Sequence, residues 1–146
     1  GNNFRFKTTW RKMAYLVRKK TCSIYVINNS SHFNWWIDTG KLKVVHIDSA
    51  DFIEQELQGR QADIVCLCAI GRKYRPNYVK DVVRLLKPKY IIPCHWDSMA
   101  TPIDAVPQLL PGVNIPEFLD EIKACGVIPL FMPILGELYF DQNTEL

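Results

Sequence analysis

His95 is the residue of this chain best placed to do chemistry. It closes an apolar stretch, Tyr90-Ile91-Ile92-Pro93-Cys94, and is followed by Trp96, Asp97 and Ser98. A neutral imidazole is a base or a metal ligand near neutral pH. Asp97 and Ser98 are positioned to line a pocket beside His95 or to orient its ring, and Asp97 can equally cap the loop that follows. Cys66 and Cys68 share one face of an extended run, and Cys94 precedes His95. A thiolate zinc site can be drawn from Cys66, Cys68, Cys94 and His95. The same cysteines also serve as small apolar filling in a buried strand. Arg72, Lys73 and Arg75 crowd one turn, where they can hold the phosphate of an anionic substrate or lie solvated. Trp10, Trp35, Trp36 and Trp96 can stack bases, although core packing accounts for them better. Asp48 stands just before a short amphipathic run, where it or Ser49 can cap the first helical turn.

These residues need elements to hold them. Ile64 to Ile70 is an apolar run stopped by Gly71 and reads as a strand buried on both faces. Val79, Val82, Val83, Leu85 and Leu86 recur at helical spacing, and Lys87-Pro88 ends that helix. Tyr90 to Ile92 reads as a second buried strand stopping at Pro93. Strand, helix and strand in this order imply parallel pairing, and ligands gather where such strands end. Before this unit come short strands: Phe4 with Phe6, Thr21 to Ile27, Phe33 to Ile37, and Leu42 to Ile47. They are joined by turns and suit an antiparallel meander. Trp10 to Leu16 fits a strand or a helix. Phe52 to Leu57 reads as a short helix, and Met99 to Asn114 as a long loop with one helical turn. Ile115 to Ala124 reads as a helix capped by Asn114 and ended by Gly126, then Val127 to Met132 and Glu137 to Phe140 as strands. The fold class is α/β.

The chain of 146 residues carries a net charge of +3. That length suits a single domain, residues 1–146, with a real core. The basic residues are dispersed, so nucleic acid and anionic membrane are not expected as partners. No apolar run approaches a membrane span, and no signal-peptide pattern opens the chain. Five cysteines, mostly within strand-like runs, suit reduced thiols and a cytoplasmic location.

The order of motifs resembles the C-terminal half of the metallo-β-lactamase fold, in its lactonase-like branch. Ile47-Asp48-Ser49 resembles the Gly-Asp-Thr that closes one strand in that branch. Ala62-Asp63 opens a buried strand, Leu86-Lys87-Pro88-Lys89 closes a helix, and Ile92-Pro93-Cys94-His95-Trp96 resembles the Ile-Pro-Met-His segment. The helix, strand and hairpin from Phe118 to Phe140, with Leu135-Gly136-Glu137, complete the match. The resemblance covers roughly Cys22 to Asp141 and implies half of an αβ/βα sandwich.

By that resemblance Asp48 bridges two metal ions, zinc or manganese, and His95 ligates the second. Asp97, Ser98 and Arg72 are then candidates to orient the ligands or hold substrate. A carboxylate can span two cations, and a metal-bound water is a nucleophile near neutral pH. The implied activity is hydrolysis of an ester, lactone or phosphoester in a small-molecule substrate. The family's first-half histidine cluster is missing, because this chain has only His32, His46 and His95. The missing ligands would come from a preceding segment or a partner chain. Alternatively the chain is a metal-free scaffold for binding or assembly, or a cysteine-based zinc domain. A sandwich lacking one layer exposes an apolar face, so a homo-oligomer or a chain carrying the other half is expected.

Overall fold

The computed structural model describes residues 4–7, 23–29, 32–48 and 51–140, with side chains from residue 34 onward within those limits. Ser49, Trp10 and the stretch from Trp10 to Leu16 lie outside the described residues, so the expectations placed on them do too.

A six-stranded mixed sheet organises the molecule. Its strands are β2 (Ser23–Asn29), β3 (His32–Asp38), β4 (Lys43–Ile47), β5 (Ile64–Cys68), β6 (Tyr90–Cys94) and β7 (Ile128–Pro129), lying side by side in chain order. β2, β3 and β4 form the expected antiparallel meander. From β4 onward the pairing is parallel. The change has a physical cause. β3 reaches β4 through the tight turn Asp38–Leu42, which reverses the chain, whereas β4, β5 and β6 are linked by long crossovers that carry helices. Asp63 ties the start of the three parallel strands together: its carboxylate accepts from the Lys43 amide at 2.8 Å and its carbonyl from Tyr90 at 3.1 Å.

Three helices cover one face. They are α1 (Glu54–Leu57), α2 (Tyr78–Leu86) and α3 (Ile115–Ala124). Val45, Ile47, Val65, Leu67 and Ile91 point into this layer and meet Leu57, Tyr78, Val79, Val82, Leu86, Phe118 and Ile122. Period-2 alternation sends Val44, Ile64, Cys66 and Ile92 to the opposite face. That face is not open. Met132, Leu130, Leu138 and Phe140 pack on it, and Ile64 and Ile92 are fully buried. Among the described residues, that face is thus covered by the chain's own residues 130–140. Phe140 belongs to β8 (Glu137–Phe140), which pairs antiparallel with β1 (Phe4–Lys7) in a separate two-stranded sheet.

Several expectations need correction. Asp48 does not cap α1. The helix begins after Ile53, has one turn, and takes no side-chain cap. Phe52 must reach the core, where it is 3% exposed, so Asp51 to Ile53 stays extended and the helix starts late. β6 does not stop at Pro93 but continues to Cys94. Ile91 bonds toward β7, so by alternation the missing Pro93 N–H faces the same side, beyond the point where two-residue β7 has ended. Residues 99–114 hold turns but no helical turn, and the loop is pinned where Asp97 bridges Leu109. The α3 boundaries hold: Asn114 Oδ1 accepts from the Glu117 amide at 3.2 Å, and the helix gives way before Gly126. Among the described residues no helix is long and apolar enough to cross a membrane.

Candidate functional site

The parallel strands β4, β5 and β6 end together, and their carboxyl ends carry Asp48, Cys68 and His95. Residues 47 positions apart in sequence thus come into contact. His95 Nδ1 lies 3.4 Å from the Asp48 carbonyl oxygen and 3.5 Å from Cys68 Sγ. A carbonyl oxygen only accepts, so a ring bonded to Asp48 carries its proton on Nδ1, whereas a ring accepting from the Cys68 thiol carries it on Nε2. His95 adopts φ 50, in the left-handed region. A side chain with a Cβ is held there at a cost of order 1 kcal/mol, and such positions cluster at functional sites. In this fold the turn lets the chain leave β6 sharply, sending Trp96 into the helical core while the ring of His95 stays over the strand ends.

Asp48 is fixed by a residue that the sequence did not single out. Asn34 is 1% exposed on β3, and its Oδ1 accepts from the Asp48 amide at 3.3 Å. A second unanticipated group is His46. It occupies the same sheet face as Cys66 and Cys94, is 7% exposed, and places Nε2 3.8 Å from Cys94 Sγ. Burial first, and then the nearby His95, lower the His46 pKa from 6.5 to about 4. Period-2 counting from Asp48 was the signal that could have found it, since residues 46 and 48 share a face.

The cysteines read as core groups. Burial pushes the Cys66 thiol up to about 12 and that of Cys68 up to about 11, so both are neutral thiols near pH 7. Among the described residues no three His, Cys, Asp or Glu side chains converge as metal ligands. The thiolate centre drawn from Cys66, Cys68, Cys94 and His95 is therefore not formed, although its residues do lie at neighbouring strand ends. Asp48 and His95 alone are also too few for a zinc centre, which takes at least three protein ligands. The described residues do not by themselves fit the implied metal.

The remaining candidates fall in other places. Asp97 joins its backbone to Leu109, and Ser98 Oγ accepts from the Ala100 amide at 3.3 Å. Arg72 and Arg75 sit on the helix side of β5, in and after the 3-10 turn Ala69–Lys73. Arg72 is clamped to α3: it donates Nη2 to Glu117 at 2.6 Å and Nε to Glu121. Those carboxylates hold its pKa above the ordinary arginine value.

Arg75 joins three segments. Its guanidinium contacts Asp51 at 2.6 Å, Glu54 at 2.7 Å and Asp81 at 3.3 Å, and it lies 4.1 Å above the Phe52 ring. It ties the β4–α1 connection to α2. Arg75→Met should lower unfolding stability by about 2 kcal/mol, between the value of an exposed pair and that of a buried one, because the side chain is 20% exposed. Urea denaturation in 0.1 M and 1 M salt tests this, and the difference from wild type should shrink at high salt. An effect near zero would mean that the three contacts are surface pairs without structural weight.

No protein-family model and no curated protein matches the sequence. Among solved structures, the chain is similar to a Thermotoga maritima protein assigned to the Zn-dependent hydrolases of the metallo-beta-lactamase superfamily. The identity is 20% and the TM-score 0.47, over 70% of this chain and 53% of that one. The chain thus spans about half the length of that protein.

Proposed function

We propose that this chain carries one edge of a metal-dependent hydrolase site of the metallo-β-lactamase type, acting on an ester, lactone or phosphoester with zinc or manganese. The observation behind this reading is the meeting of Asp48 and His95 at the ends of β4 and β6, with Nδ1 of His95 turned to the Asp48 carbonyl. With the Nδ1 proton given to that carbonyl, Nε2 would be left with the lone pair a ligating histidine needs, and the carbonyl would act as its orienting partner. The resemblance of Ile47-Asp48-Ser49 and Ile92-Pro93-Cys94-His95-Trp96 to family motifs supports the same assignment. The remaining ligands would come from residues outside those described or from another chain. Asp97 and Ser98 follow His95 and are the nearest candidates in sequence to line the substrate's approach.

A second reading is a metal-free scaffold, and one observation favours it: no third ligand joins Asp48 and His95 among the described residues. Elemental analysis separates the two. After dialysis against trace zinc and manganese, the hydrolase reading expects stoichiometric metal that is lost in Asp48→Ala and in His95→Ala, with the circular dichroism of both variants unchanged. Absence of metal from the wild-type chain would favour the scaffold. Metal lost only when Cys66, Cys68 or Cys94 is replaced would favour a thiolate centre.

A further inference from the structure

A cleft of about 330 Å³ opens on the helix side of the sheet, and neither Asp48, Cys68 nor His95 lines it. Its size is within the range of small-molecule sites. Arg72, Lys73, Arg75 and Glu121 line it, and the two arginines are paired with carboxylates, Arg72 with Glu117 and Glu121 and Arg75 with Asp51, Glu54 and Asp81, so Lys73 brings the charge that no carboxylate offsets among the described residues. Tyr78 and Phe118, both deeply buried, also line it.

The donors here are only partly used. Arg72 spends Nε and Nη2 on Glu121 and Glu117, and its Nη1 makes no hydrogen bond among the described residues. Those two carboxylates hold the guanidinium plane in place without occupying the Nη1 edge. Lys73 is exposed and makes no ion pair among the described residues. Its ammonium lies against Gly112, across the cleft, and 5.9 Å from the Tyr74 ring. Arg75 is committed to Asp51, Glu54 and Asp81 and contributes neither free donors nor net positive charge. The cleft also receives the start of α2, where Asn77 provides no side-chain cap.

We infer that this cleft binds a small phosphate monoester, with the phosphate between Lys73 and Arg72 and the organic part against Tyr78 and Phe118. A phosphate suits the site because one ammonium and one free edge of a fixed guanidinium can supply charge-assisted donors to the same cleft. Nucleic acid does not suit it, since the positive charge is confined to one cleft and the chain's net charge is only +3. The assignment is independent of the metal reading at Asp48 and His95.

Calorimetric titration of the purified chain at fixed ionic strength tests it, with glycerol 3-phosphate, inorganic phosphate and glycerol as probes. The expected result is saturable binding of glycerol 3-phosphate, weaker binding of phosphate, and none of glycerol. Lys73→Glu, an exposed substitution, should weaken binding at least tenfold, and Lys73→Ala severalfold, with circular dichroism unchanged. Asp48→Asn should bind as the wild type does. Absence of saturation, wild-type affinity in Lys73→Glu, or loss of binding in Asp48→Asn would each overturn the assignment.

Discussion

Gly71→Ala is expected to cost about 3 kcal/mol of unfolding stability, the upper end of ordinary overpacking. Gly71 is buried in the 3-10 turn that follows β5. A Cβ placed there would stand 2.5 Å from Cζ and 2.6 Å from the hydroxyl oxygen of Tyr78. Real carbon atoms do not approach so closely, so something must move. Neither side can yield easily. Tyr78 is 1% exposed and packs against Phe52 with ring centroids 5.9 Å apart. The turn itself continues β5 without a break. Thermal and urea unfolding would measure the loss. The cause is separable: Tyr78→Leu alone should destabilise by removing ring burial, and combining it with Gly71→Ala should cost clearly less than the sum. Strict additivity would show that the close approach is not what Gly71 is for.

Acidification is expected to cost about 3 kcal/mol through His46 alone. The group titrates near 6.5 when unfolded and at about 4 when folded. Between these values the unfolded chain binds more protons than the folded one, so stability falls as pH falls. Above pH 6.5 both states hold a neutral ring and His46 contributes no pH dependence. By pH 5 the loss reaches about 2 kcal/mol, and by pH 4 about 3 kcal/mol, since one pKa unit is worth about 1.4 kcal/mol. Below pH 4 it levels off. Burial is the main cause, and His95 adds repulsion. His46→Gln should remove this component, so the decline in stability from pH 7 to pH 4 should be about 3 kcal/mol shallower than in wild type. Urea denaturation of chelator-dialysed protein at each pH gives the comparison. Equal declines in both proteins would mean that His46 is protonated in the folded state at pH 5.

The two effects bear on different halves of the same strand ends. Gly71 and Tyr78 set the turn on the helix side, where the proposed phosphate cleft opens. His46 lies on the opposite face, where burial and the neighbouring His95 both oppose a charged imidazole. Burial keeps Cys66, Cys68 and Cys94 as thiols, and the Asp48 carboxylate adds to this at Cys68 and Cys94.

Much of the fold was legible before any coordinates. The apolar run Ile64 to Ile70 reads as a strand buried on both faces, although Ala69 and Ile70 enter the 3-10 turn, and the periodic valines of α2 cover one of those faces. Pro88 and Gly126 stop helices by sterics that are purely local. Even the location of His95 at a strand end followed from its neighbours. Other features belong to distant contacts. The pairing of β1 with β8 joins the two ends of the described chain, and no local pattern encodes it. The meeting of His95 with Asp48 depends on which strands lie adjacent, a question of sheet order rather than of either residue. From their turn, Arg72, Lys73 and Arg75 could hold a phosphate or lie solvated. Tertiary structure gave the two arginines carboxylates from α1, α2 and α3, while Lys73, of these three, makes no ion pair among the described residues. Sequence determines which residues must be buried and where a helix must stop, because those are properties of short stretches. The partners of each charge were decided only when the strands were ordered, because Coulomb and hydrogen-bond energies depend on distances that sequence separation does not contain.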